Sequence, residues 1–420
     1  MDEATLRAYV EDRLKSDDEK FVPGKTRVHL SSPTFGADEI LEALDSLVRR
    51  QVTIGRKVRQ FEEDFAAWCG AKGSVFLNSG SSANLLAFFV LTNGALRGRL
   101  KPGEEVVVPA LSWSTTVFPI VDAGLVPVLV DSDLDTLNAD PGEVEAAVSK
   151  KAGAVMPVHV LGNPADMPAL MKTAKRSGLF VVEDACEAHG ATIGGKKVGT
   201  FGEMATFSFY FSHHMTTIEG GSLVSDNEGY LELAKVLRAH GYSRDLKDAA
   251  KVAKRYPQID ARFLFVNRGF NLRPTEVSAA FGIRQLPKLD AFIEGRRILA
   301  AYYNKRLGRH AGLLRVQKEQ PGHRNVQLGY SMIVEKGAPF TRKQFVDHLE
   351  AAGIETRPVI AGNIAEHPAM KLLKHRVHGR LPNARHIMRN GLYMGCHNGI
   401  GDEARGYVMD AVDEFVRKNS

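Results

Sequence analysis

Cysteine is scarce: the 420 residues include three, Cys69, Cys186 and Cys396. None falls in a C-x-x-C pair, and no Cys/His zinc spacing exists. Three scattered thiols suit a reducing compartment, and a cytoplasmic protein is expected. They cannot supply the four thiolates of an ordinary [2Fe–2S] cluster. Charge of one sign is also lacking. Lys and Arg total 55 and Asp and Glu 49, a net of +6, with no basic block of five or more. Nucleic acid is therefore a poor partner, and a phosphorylated or acidic small molecule fits better. Repeats and low-complexity tracts are missing. The opening MDEATLRAYVEDRLK is too charged for a signal peptide. The least charged stretch, 106–130, carries only Asp122. Its prolines, Pro109, Pro119 and Pro127, exclude a membrane span and predict strand, short helix, strand. No membrane partner is expected.

What is present is an ordinary globular composition, 44% hydrophobic and 25% charged, which excludes global disorder. At this length a core forms without a disulfide or metal staple, and two domains are the natural expectation. Short apolar runs (SVFLNS, EVVVPAL, VPVLVDSD, AVMPVHVLG, LFVVEDAC, MATFSFYF) alternate with helical patterns such as SANLLAFFVLTNGAL. That alternation predicts an α/β fold with a mainly parallel sheet covered on both faces. Ligands of such sheets gather at the carboxyl ends of the strands. After Asn271 the pattern changes to a long helix and then mixed elements. This divides the chain into a large domain, 1–294, with an N-terminal arm, and a smaller C-terminal α+β domain, 295–420.

Four segments and one tryptophan carry potential chemistry. Asn78–Asn84 (NSGSSAN) lies between a strand and a helix, where small residues let backbone N–H groups approach an anion; a plain helix cap is the simpler reading. Val182–Glu187 (VEDACE) ends an apolar strand, where a carboxylate caps the strand or pairs with a protonated ring nitrogen or a metal. Phe207–His214 runs into Met215–Gly221, a polar loop with a glycine pair. Adjacent loop histidines are usually only solvated, and no further Cys/His cluster makes them a metal site. Gly269–Glu276 (GFNLRPTE) precedes a helix. Trp113, one of two tryptophans, follows a strand. It reads as core or as a platform for a flat cofactor.

In this order the segments resemble the DegT/DnrJ/EryC1/StrS group of vitamin B6-dependent sugar aminotransferases, of fold type I. The likeness runs from VHLSSPTFGADEI through NSGSSAN, VVEDACEAHGA, TFSFYFSHHMTTIEGG and GFNLRPTEVSAAFG to GIETRP. The resemblance implies roles. Gly80, Ser81 and Ser208 would hold the phosphate of pyridoxal or pyridoxamine phosphate. Trp113 would stack on its ring, and Asp184 would pair with the ring nitrogen. Glu187, where many relatives have Gln, would lie near the ring hydroxyl. Asn271 would reach the phosphate from a partner subunit, so a homodimer with shared active sites is implied.

One position departs from the group. Its aminotransferases place a cofactor-linking lysine six residues before the Glu of EGG, and six residues before Glu219 stands His213. No lysine lies between Lys197 and Lys235. Imidazole forms no stable imine, yet its ordinary pKa of about 6.5 suits a general base. Relatives with this histidine are 3-dehydratases of nucleotide-linked 4-keto-6-deoxysugars that use the amine form of the cofactor. One branch carries an iron–sulfur cluster. The other does not, and acts on sugars such as GDP-4-keto-6-deoxymannose. The cysteine count, with RAHGYSRD and NLRPTE, resembles the cluster-free branch. His213 would take a proton from the cofactor and give it to the departing C3 hydroxyl, and L-glutamate would restore the amine. Arg238, Arg244 and Arg357 are candidates for the glutamate carboxylate or the nucleotide diphosphate. An aminotransferase using another lysine, and an inactive binding relative, remain alternatives. No metal is expected.

Overall fold

The structure is a computed structural model describing residues 2–15 and 20–420. The apolar runs form strands, introduced here in chain order. They are β1 (Gly73–Leu77), β2 (Glu105–Pro109), β3 (Val126–Val130), β4 (Ala152–Val155), β5 (Phe180–Asp184), β6 (Met204–Ser208) and β7 (Gly221–Ser225). Later in the chain come β8 (Leu314–Val316), β9 (Gly329–Val334), β10 (Thr356–Pro358), β11 (Arg376–Val377) and β12 (Gly391–Gly395).

One sheet of eight strands runs β1-β7-β6-β5-β4-β2-β3-β11. Every strand in it points the same way except β7, which is antiparallel to both neighbours. β2, β3 and β7 are buried along their whole length. That is why their sequences run apolar or small without alternation: helices cover both faces. Between β2 and β3 the helix Ser114–Asp122 carries Pro119 inside it, so the low-charge stretch folds as strand, helix, strand. Among the described residues no helix is long and apolar enough to cross a membrane.

A second, antiparallel sheet runs β8-β9-β12-β10. Helices Arg342–Ala351 and Asp402–Asn419 pack on it, burying Phe345, Val412 and Phe415. Three observations add to the expected division. The helix Leu289–Leu307 passes unbroken through residues 294 and 295. Val28, from the N-terminal arm, lies in the second core. β11, late in the chain, pairs parallel with β3 on the first sheet. Burial drives the first two, whereas β11 is held by its backbone pairing with β3 and by Arg376 bonded to Glu105.

Candidate active site

The parallel direction of β1, β2, β5 and β6 brings their carboxyl ends to one edge of the sheet. There, a cavity of about 380 Å³ opens. Ser79, Gly80, Ser81 and Asn84 enter it after β1, and Trp113, Thr115 and Thr116 after β2. Asp184 ends β5, with Cys186 and Glu187 just after it, and Ser208 ends β6, with Tyr210, Ser212 and His213 just after it. Leu328, Ile360 and Tyr393 close it from the second sheet's side.

The turn after β1 is a helix start. Ser79 caps helix Gly80–Leu91, its side chain accepting from the Ser82 amide at 3.1 Å. Partial positive charge therefore faces the cavity. Two glycines make the turn possible. A Cβ on Gly80 would come within 2.5 Å of Ser208 Cβ, and one on Gly221 would run into the Ser79 backbone. The glycine pair after Glu219 is thus a close approach between β7 and the helix start.

Asp184 is buried and held by three donors. Its Oδ2 accepts from Thr116 Oγ1 at 2.7 Å and Asn84 Nδ2 at 3.1 Å, and its Oδ1 from the Cys186 amide at 3.2 Å. Asn84 is fixed in turn by the Thr206 hydroxyl. A carboxylate has about four acceptor sites, so one remains for the cavity. Glu187 accepts from the Leu161 amide at 2.7 Å. Burial, with Asp184 adding to it, pushes its carboxyl up to about 8. At neutral pH Glu187 is therefore largely a neutral acid that can donate. Tyr393 feels the same neighbourhood, and burial pushes its phenol up to about 12.

His213 sits on a loop whose neck is closed by Phe209 N–H to Gly220 O and Thr217 N–H to Phe209 O. Its ring lines the cavity and its Nδ1 is buried without a partner. Burial, then the positive Arg296, pulls the imidazole down to about 4. The expected base near 6.5 is thus a neutral ring across the working range. His214 turns the other way, into the core, and its Nε2–H donates to Val326 O at 3.1 Å. His189 is fully buried with neither ring nitrogen paired. An unpaired buried polar atom costs about 1–3 kcal/mol.

Among the described residues lining the cavity there is no lysine. Lys197 instead donates to Trp68 O and lies 3.8 Å over its ring. Nor is any group of three or more His, Cys, Asp and Glu side chains placed to hold a metal among the described residues.

Seven residues singled out in the sequence surround this one cavity: Gly80, Ser81, Trp113, Asp184, Glu187, Ser208 and His213. Trp113 is 56% exposed, which rules out the core reading. The other four lie outside it. Arg238 is buried, bonded to Glu62 at 2.6 Å and Phe76 O at 2.7 Å; this ion pair replaces the expected ligand contact. Arg244 lies over the Tyr242 ring. Asn271 is exposed and accepts from Arg273. Arg357 pairs with Glu355 but stands opposite Tyr393 in the ladder, beside the cavity wall. Sequence reasoning missed Thr116, Asn84 and Tyr393. Asn84 ends the NSGSSAN segment and Thr116 lies three residues after Trp113, whereas nothing near Tyr393 in sequence marks it.

The profile of the DegT/DnrJ/EryC1/StrS aminotransferase family matches residues 33–413. The chain is 38% identical to a GDP-4-keto-6-deoxy-D-mannose 3-dehydratase of Yersinia pseudotuberculosis, over 88% of this chain and 93% of that one. It is 35% identical to a dTDP-4-dehydro-2,6-dideoxy-D-glucose 3-dehydratase of Saccharopolyspora spinosa, over 99% and 92%. Among solved structures it resembles a GDP-4-keto-6-deoxymannose-3-dehydratase with a trapped PLP-glutamate geminal diamine. The TM-score is 0.86 and the identity 38%, covering 91% of this chain and 99% of that one.

Proposed function

The chain belongs to the DegT/DnrJ/EryC1/StrS aminotransferase family, and within it we propose that it is a pyridoxamine phosphate-dependent 3-dehydratase. Its substrate is a nucleotide-linked 4-keto-6-deoxyhexose, and L-glutamate recharges the cofactor. The observation that carries this reading is a cavity wall with His213 in it and no lysine.

The residues present fit the cofactor. Gly80 and Gly221 leave a side-chain-free cradle at a helix N-terminus, and Asp184 is a buried carboxylate with one acceptor site left. When bound, the cofactor supplies an amine for the sugar ketone and a ring that takes up electrons. Gly80, Ser81 and Ser208 hold its phosphate, and Trp113 covers the ring. Asp184 keeps the ring nitrogen protonated. Glu187, neutral at pH 7, donates toward the ring hydroxyl. His213 takes a proton at Nε2 and gives it to the departing C3 oxygen, since the neutral ring is free to accept. Leu328, Ile360 and Tyr393 exclude water. Arg357 is the remaining arginine candidate for the glutamate carboxylate or the diphosphate.

Asn271 serves the partner's cavity in a homodimer; its exposure outside its own cavity supports this. Residues 1–294 act as the cofactor part and 295–420 as the smaller part, a division of labour. A reducing cytoplasm suits three free thiols, two of them buried.

The test is His213→Asn with a panel of GDP-, CDP-, dTDP- and UDP-linked 4-keto-6-deoxy sugars and glutamate, read by mass. The wild type should lose the C3 oxygen from at least one sugar and the variant from none. Retained turnover in the variant, or borohydride fixing the cofactor to a lysine of the wild type, sinks the proposal.

A further inference from the structure

Behind His213 lie two more imidazoles that the proposed reaction leaves unused. His189 stands between them, 6.3 Å from the His213 ring centre and 5.4 Å from that of His214. Three phenylalanine rings also surround it, Phe207 at 5.4 Å, Phe209 at 5.5 Å and Phe65 at 6.4 Å, and the positive Arg296 is close enough to act on it. An apolar ring in such a cage would strand no polar atoms, whereas this one strands two. A buried imidazole with both nitrogens unpaired calls for a use other than packing.

The unpaired nitrogens are four: Nδ1 of His213, both of His189, and Nδ1 of His214. One of them is settled by geometry. The His214 Nε2 faces the Val326 carbonyl, which can only accept. Nε2 therefore carries the proton, and in the neutral ring Nδ1 is a lone pair. His189, also neutral, offers one N–H and one lone pair. Burial holds both rings well below the usual imidazole range.

His213 decides whether the set balances. With its proton on Nδ1, the nitrogens alternate. His213 donates to His189, His189 to His214, and His214 to Val326 O. With its proton on Nε2, three lone pairs compete for a single donor. Two imidazoles joined nitrogen to nitrogen at about 3 Å stand about 5 Å apart at their centres. The 5.4 Å separation is within a ring turn of that, and the 6.3 Å one within a small shift or one bridging water.

We infer that His189 is a positioning residue that holds the His213 proton on Nδ1 and so keeps the Nε2 lone pair toward the cavity. This rests on His213 being the base of the proposed reaction. It adds a relay of three rings, ended by the Val326 carbonyl, that fixes the tautomer before any ligand arrives.

The experiment reads 15N shifts of histidine-labelled, cofactor-free protein, with His213 assigned by its loss in His213→Asn. The wild type should show His213 as the neutral Nδ1–H tautomer. His189→Phe should shift it toward Nε2–H, and His189→Gln, which keeps an acceptor and a donor, should bring it back. In loaded enzyme the kcat of His189→Phe should fall about tenfold or more at unchanged KM. The kcat of His189→Gln should recover part of that. An Nε2–H tautomer in the wild type overturns the inference without any variant. So does an unchanged His213 pattern in His189→Phe. Turnover surviving in His213→Asn would instead defeat the dehydratase reading, leaving the tautomer result to stand by itself.

Discussion

Glu187 lies three residues past Asp184, the last residue of β5, and the two receive very different support. Three donors surround Asp184, while Glu187 has the Leu161 amide and is pushed up to about 8 by burial. An amide imitates a neutral acid, so Glu187→Gln should keep kcat within about threefold at pH 7. The wild type should lose activity above pH 8, as a second negative charge forms beside Asp184 and near Tyr393. The Gln variant should lack that limb, and kcat against pH from about 6 to 9.5 tests it. At this scale the sequence was informative about which residues meet and poor about their state. Motif order brought Gly80, Trp113, Asp184 and His213 to one place. Nothing in SHH said that one histidine faces the cavity and the other the core. Nor did it tell of Arg296, buried and bonded to the Leu328 and Cys396 carbonyls, whose charge lowers both rings.

Among the elements, the helix Arg56–Cys69 has no side-chain cap of its own. Glu276, from another helix, does that work. Its carboxylate accepts from the amides of Gly55 at 2.9 Å, Lys57 at 3.0 Å and Val58 at 2.8 Å. Glu276→Ala should cost about 2 kcal/mol or more, because buried amides lose a charged acceptor. A lower urea midpoint at unchanged m would show it. Strands were the most legible elements, since each apolar run folded as one. β7 was not legible. Its GSLVS resembles loop sequence because three of its five residues are Gly or Ser, and at Gly221 the close Ser79 backbone leaves no room for a side chain. Ser222 meets Ser74 there, hydroxyl to hydroxyl, at 2.5 Å. A cross-strand pair of that kind becomes visible only once the partner is known.

At the scale of the whole molecule, four histidines set the acid limit: His189, His214 and His397 in the interior and His213 on the cavity wall, all held below the usual range chiefly by desolvation. In the unfolded chain they take up protons near pH 6.5, and in the folded one near 4 for His213 and His397. Between those values the unfolded state binds more protons, so stability falls as pH drops from about 6.5 toward 4. Melting temperature across that window tests the sign; replacing His397 with Gln should flatten the slope. The shared-site reading has its own whole-molecule test. Mixing His213→Asn with Asn271→Ala should restore about a quarter of wild-type activity, as half the dimers gain one intact site. No recovery would mean that Asn271 serves its own chain. Two sheets with their own cores are seen, and the crossings between them were not legible in the change of pattern after Asn271. They depend on which apolar edges need covering in three dimensions. The helix Leu289–Leu307 is one such crossing. It packs Leu289 and Ile293 into the core around Phe65 and Phe209, and Leu299, Tyr303 and Leu307 into the core around Phe345. A rod anchored at both ends transmits displacement without absorbing it. Arg296, on the same helix, is bonded to the Leu328 and Cys396 carbonyls and so ties the rod to the cavity wall. Sugars would be sorted by the room already there, and grafting the C-terminal part of a relative at residue 295 would transplant half a girder.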